Sequence, residues 1–154
     1  MPEMDKNRVV GVLNRLLEAE LAGVVRYTHY SLLVFGFGRI PIVSWLRAQA
    51  MESLRHAEQI GEWITALGAH PSLAIGPLLE SHKHDITAIL KESLAAEGDA
   101  LALYRELLET VKDRSVGIEE FAREMIQLEE MHAAEVDKML RKPGDVATYA
   151  KSGG

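Results

Sequence analysis

Apolar residues recur every three or four positions along four long stretches of the chain, the spacing of one buried helix face. The first stretch runs from about Asp5 to Leu33, with Val9, Leu13, Leu16, Val24 and Tyr27 on one line. The segment GFGRIP, with two glycines and Pro41, then breaks the pattern. Pro41 suits the first turn of a second helix, because that turn leaves its N–H groups unpaired anyway. This helix is expected over about Ile42 to Leu67, with Leu46, Gln49, Ser53, His56, Ile60 and Trp63 inward, and GAHP stops it. A third helix is expected from His84 or Asp85 to about Lys112, with Ile86, Leu90, Ser93, Leu101, Tyr104 and Leu108 on one face. A fourth is expected from about Ile118 to Leu140, with Phe121, Met125, Leu128, His132, Val136 and Met139 inward. No stretch alternates as a strand does. The tail DVATYAKSGG is expected to form at most one short helical turn.

The second and third helices are joined by SLAIGPLLESHKH, long enough to cross the length of a bundle where a hairpin loop is not. The expected fold is therefore all-α, a four-helix bundle with one long crossover, and residues 1–154 form one domain. The chain also divides into two similar halves. In each, a helix carries a Glu where its apolar line should continue, and the next helix carries a His. Glu20 precedes His56 by 36 positions and Glu97 precedes His132 by 35.

Glu20 lies between Leu16 and Val24, and Glu97 between Ser93 and Leu101. A lone buried carboxylate is costly, so it must be paired, protonated or bound to a metal. One such Glu is usually an edge residue that reaches solvent; two at equivalent places in two similar halves argue for a site. His56 and His132 each have an acid about one turn upstream, Glu52 four residues before and Glu129 three residues before. Residues so spaced project from the same side of a helix, so Glu129 and His132 can offer an oxygen and a nitrogen to one metal. Two Glu from two helices with Glu-x-x-His pairs from two others is the donor set of di-iron carboxylate bundles. Mixed carboxylate and imidazole donors suit iron, manganese or zinc rather than calcium.

Composition narrows the choice of partners. The net charge of −6 argues against a nucleic-acid surface. The absence of cysteine excludes disulfides and thiolate metal sites. The start MPEMDKNRVV has no signal-type apolar core, and no run of about 18 apolar residues occurs. A cytoplasmic protein without a membrane partner is the expectation.

The segments LNRLLEAELAGVVRY, HAEQIGEWITALGAHP, LAAEGDALALYRE and LEEMHAAEVDKML together resemble the bacterioferritins of the ferritin-like di-iron carboxylate family, over nearly the whole chain. The resemblance implies metal ligands at Glu20, His56, Glu97, Glu129 and His132. Glu20 and Glu97 would each serve one iron, Glu129 would bridge, and each His would complete one iron. Tyr27 and Tyr104 would hydrogen-bond to the ligating carboxylates. The catalytic residues would be Glu20, Glu97 and Glu129.

The sequence departs from the family at two places. The bridging Glu of the second helix is replaced by Ser53. Glu52 is the substitute on offer, but Glu52 and Ser53 lie on opposite flanks of His56, because a helix advances about 100° per residue. Glu52 reaches the metal if the helix carries a π-bulge; otherwise it faces a neighbouring helix, an interface or solvent. Ser53 could alternatively hold a ligating water. The haem-ligating Met of the family is replaced by Leu54, so haem is not expected. The resemblance implies oxidation of Fe(II) by dioxygen or peroxide, iron storage, and a homo-oligomer between a dimer and a 24-mer. The tail is shorter and less apolar than the family's fifth helix, which puts the full shell in question. Two alternatives stand beside this reading: a non-storage di-metal oxidase or peroxidase, and a metal-poor helical interaction protein.

Overall fold

A computed structural model describes residues 3–78 and 81–149. Four helices account for the architecture: α1 (Lys6–Leu33), α2 (Arg39–Ala66), α3 (Ile86–Val111) and α4 (Val116–Leu140). No strand occurs among the described residues, and no helix is long and apolar enough to cross a membrane.

The helix starts follow local chemistry. Asp5, Asp85 and Ser115 each accept a hydrogen bond from a backbone N–H three residues on, which satisfies one of the unpaired donors of a first turn. Ser115 starts α4 at Val116, two residues earlier than the apolar spacing predicts. α2 starts at Arg39, three residues before the expected Ile42, after a turn in which Arg39 N–H donates to Gly36 C=O. Pro41 is thus the third residue of that helix, still within the first turn. Gly36 takes φ +93°, a left-handed conformation open to glycine at little cost.

α1 packs against α2 and α3, and α3 against α4. The crossover leaves α2 at Gly68, beside Lys6 at the start of α1, and delivers the chain to Ile86, beside Gly38 at the start of α2. It is pinned along α1 on the way: Ser72 N–H donates to Asn14 Oδ1 at 2.7 Å and Gly76 N–H to Glu18 C=O at 2.8 Å. α2 and α3 therefore run parallel, as the long connection requires.

The apolar interior comes in two blocks. One gathers Leu13, Leu16, Ile60, Tyr104, Leu107 and Met125; the other gathers Tyr27, Tyr30, Val43, Leu46 and Ile89. Between them along the helices lies a buried polar layer of Glu20, Ser53, His56, Glu97 and Glu129. One inward assignment is corrected. Leu128 is 41% exposed, and Glu129, one residue and about 100° further on, takes the buried place. Val24 is half-buried, whereas its neighbours Gly23, Arg26 and Tyr27 are buried. Beyond α4 the described tail, through Tyr149, contains turns and no helix. The rest of the expected C-terminal turn, residues 150–154, lies outside the described residues.

Candidate metal centre

All four helices contribute to the polar mid-bundle layer. α1 supplies Glu20, α2 supplies Ser53 and His56, α3 supplies Glu97, and α4 supplies Glu129 and His132. His56 Nδ1 lies 3.6 Å from Glu20 Oε2 and 3.9 Å from Glu129 Oε1. His132 Nδ1 lies 3.3 Å from Glu97 Oε1. Two donor groups result, Glu20–His56–Glu129 and Glu97–Glu129–His132, each with its donor atoms within 4.8 Å of one another. Glu129 belongs to both. Glu129 is only 4% exposed, so bulk solvent barely hydrates it.

Two tyrosines clamp the outer carboxylates across the bundle. Tyr27 of α1 donates to Glu97 Oε1 on α3 at 2.5 Å, and Tyr104 of α3 donates to Glu20 Oε1 on α1 at 2.9 Å. Each tyrosine sits seven residues, two turns, after the carboxylate of its own helix and holds that of the other. The reciprocity reflects the two similar halves. Burial first, then the charge of the carboxylate each one serves, keeps both hydroxyls protonated well above the usual tyrosine range.

The carboxylates cannot all be ionised together. Glu129 is pushed up to about 11, by burial first, then by its hydrogen bond to Glu97 and the charges of Glu97, Glu20 and Glu52. Glu97 is held at about 2: burial works to raise it, but hydrogen bonds from Glu129, His132 and Tyr27 outweigh that. Without metal, Glu129 thus carries a proton that it donates to Glu97. His132 is raised as well; burial opposes this, but the hydrogen bond to Glu97 and the nearby carboxylate charges prevail.

The donor set fits a pair of transition-metal ions. Glu129 Oε2 and His132 Nε2 are buried with no hydrogen-bond partner among the described residues. Buried polar atoms are nearly always satisfied, so two orphans in one cluster point to a missing partner. A void of about 10 Å³ opens among Gln49, Glu52, Ser53, His56, Glu129 and His132. That is room for a water or an ion and nothing larger.

Glu20, His56, Glu97, Glu129 and His132 are thus brought together, while Glu52 stands outside both groups. α2 is regular α-helix through this region, with no π-bulge to turn Glu52 inward. Its Oε1 lies 3.6 Å from His56 Nε2, the ring nitrogen opposite the one facing Glu20 and Glu129. Its side chain is 37% exposed and also nears Arg55. Ser53 is buried beside the cluster and offers a hydroxyl where a carboxylate would complete it. Sequence reasoning passed over Arg26, which is buried beside Tyr27. The available signal was a cation next to an inward Tyr, but helical spacing alone does not say which flank of α1 is covered.

The sequence model of the ferritin-like domain family matches residues 10–144. No curated protein sequence matches. Among solved structures, the chain is similar to a bacterioferritin of Rhodobacter capsulatus, described with a metal-free dinuclear site and a haem iron. The two share 26% identity and a TM-score of 0.80, over 90% of this chain and 86% of that one. It is also similar to a ferritin-like diiron-carboxylate protein of Bacillus anthracis (21% identity, TM-score 0.84, 89% and 98% covered). A third similar structure is a bacterioferritin-related dodecameric thioferritin of Bacteroides fragilis (22%, 0.78, 90% and 87%).

Proposed function

The chain belongs to the ferritin-like domain family, and from that premise we propose that it binds iron at the mid-bundle cluster and oxidises Fe(II). The observation that carries this reading is Glu129, a buried carboxylate common to two donor groups that each contain one further Glu and one His. Glu20 with His56 holds one Fe(II), Glu97 with His132 holds the other, and Glu129 serves both. Iron supplies the electrons that pass to dioxygen or peroxide. Anionic oxygen donors favour the ferric product, because they offset its higher charge.

The protein's own residues prepare the site. Tyr27 and Tyr104 fix the orientation of Glu97 and Glu20, so the donors need not be ordered when metal arrives. Glu129 releases its proton as metal binds, since only the ionised carboxylate can serve two ions. Glu52 orients His56 from behind, the usual part of a carboxylate next to the non-ligating nitrogen of a metal-binding His. Ser53 adds no charge, so the two ions share one anionic donor fewer than a carboxylate at this position would give.

Storage is the physiological role that goes with this chemistry in a homo-oligomer. Phe35, Phe37, Ile40, Met51 and Leu73 are strongly exposed on the single chain, which supports self-association. Haem has no place in this reading, because Leu54 carries no atom able to ligate iron.

Anaerobic titration of the metal-free protein with Fe(II), followed by oxygen, tests the proposal. Two irons per chain and fast growth of ferric absorbance are expected, both lost in Glu129→Ala. One iron or none per chain would overturn it.

A further inference from the structure

A second cavity, of about 320 Å³, lies between α1 and α3 on the flank of the metal cluster. It falls within the size range of small-molecule sites, roughly 300–1,000 Å³. The crossover residues Gly76 and Pro77 line one wall, and small apolar side chains, among them Ala19, Ala96, Ala100 and Leu103, line much of the rest.

Arg26 lines this cavity and is only 7% exposed. Among the described residues it has no ion-pair or hydrogen-bond partner, and its Nε is fully buried and unsatisfied. Its guanidinium sits 5.7 Å from the ring centroid of Tyr27. Arginine does not deprotonate in proteins, so the charge persists. A buried charge without a counter-ion is among the most costly features a fold can hold. Glu18, Glu20, Glu97 and Asp99 line the same cavity but stand beyond ion-pair range of Arg26.

The absence of a side chain at Gly23 shapes the inner end. A Cβ there would lie 2.9 Å from Ser53 Oγ and 3.9 Å from Arg26 Nη2. A guanidinium and a hydroxyl therefore flank one spot, and the space between them is kept clear.

We propose that this cavity binds a small carboxylic acid with a short apolar chain. The carboxylate sits on the Arg26 guanidinium beside Ser53, and the chain lies along the alanine-lined wall. A guanidinium fork matches a planar carboxylate through two parallel N–H···O bonds. A phosphate is a poorer match, because its second negative charge would face Glu20 and Glu97 across the same cavity, and it would leave the apolar wall uncovered.

The test uses the metal-free full chain, so it stands or falls apart from iron chemistry. Isothermal titration with hexanoate is expected to show saturable binding at one site per chain. Hexanamide, neutral and of the same length, is expected to bind about tenfold more weakly or worse, as loss of a charge-assisted pair requires. Arg26→Gln is expected to weaken hexanoate binding to a similar degree, while Arg105→Gln, which removes an exposed pair with Glu130, leaves it unchanged. If Arg26→Gln does not fold, Ala100→Leu, which narrows the cavity, and the hexanoate–hexanamide comparison on the unaltered chain decide the matter. Equal binding of the two probes, no binding, or tighter Arg26-dependent binding of inorganic phosphate would overturn the proposal.

Discussion

Replacing Glu129 by Gln should make the metal-free protein more stable while destroying its metal site. Glu129 is raised from 4.5 to about 11 in the fold. A folded pKa above the unfolded one contributes fully below the unfolded value and is lost progressively as pH rises toward the folded value. Between pH 4.5 and pH 11 the folded protein therefore holds a proton that the unfolded chain has released. Each pH unit in that window lowers stability by about 1.4 kcal/mol, so at pH 7 the cost is about 3 kcal/mol. Glutamine keeps the shape of the protonated acid and can donate to Glu97, yet it has no proton to lose. Glu129→Gln should then exceed the unaltered chain by about 3 kcal/mol at pH 7, or about 6–12 °C in Tm for a chain of this size. Glu97 does not disturb the comparison. Its pKa is depressed to about 2, so its contribution is complete above 4.5 and is lost only as pH falls through about 2. His132 is raised, so its contribution declines as pH climbs past its folded value, but it is present in both proteins and cancels. Urea unfolding in the presence of a chelator at pH 5, 6, 7 and 8 measures the gap. A gap that is absent at pH 7, or that does not widen from pH 5 to pH 8, refutes the protonated Glu129. Adding Mn(II) should reverse the order, because metal stabilises only the chain that binds it.

Three further outcomes follow from the same geometry. Mn(II) binding at pH 7 should release at least one proton per chain from Glu129, read with a pH indicator in weak buffer, and affinity should rise with pH; binding without release would contradict the protonation scheme. Glu52→Ala should lower metal affinity about 10–100-fold without changing stoichiometry, as loss of a histidine-orienting carboxylate does; a fall from two ions to one would make Glu52 a ligand instead. Tyr104→Phe should cost about 1–3 kcal/mol in urea unfolding, by leaving Glu20 short of one buried donor, and unchanged stability would mean that the carboxylate finds another.

Much of this protein was legible before any coordinates. Four helices, their approximate ends and the long crossover follow from apolar spacing, caps and glycines, which act over a few residues. The intrusion of Glu20 and Glu97 into apolar lines, echoed in two halves, marks a polar layer in an apolar core, because spacing within a helix fixes which residues share a face. The folded chain brings those carboxylates together with His56, Glu129 and His132. Other features depend on how neighbouring helices cover each flank, and spacing within one helix carries no such information. Leu128 and Glu129 are adjacent, and only the packing of α4 decides which is buried. Glu52 lies beside His56 Nε2, across the ring from Glu20 and Glu129, because α2 stays a regular helix. The proton on Glu129 exists because the carboxylates of Glu20, Glu97 and Glu129 converge from three helices in one dry layer, with Glu52 nearby, a sum over distances that only the tertiary fold sets. Arg26 shows the same division: its charge is written in the sequence, but its burial without a counter-ion among the described residues arises where α1, α2 and α3 meet.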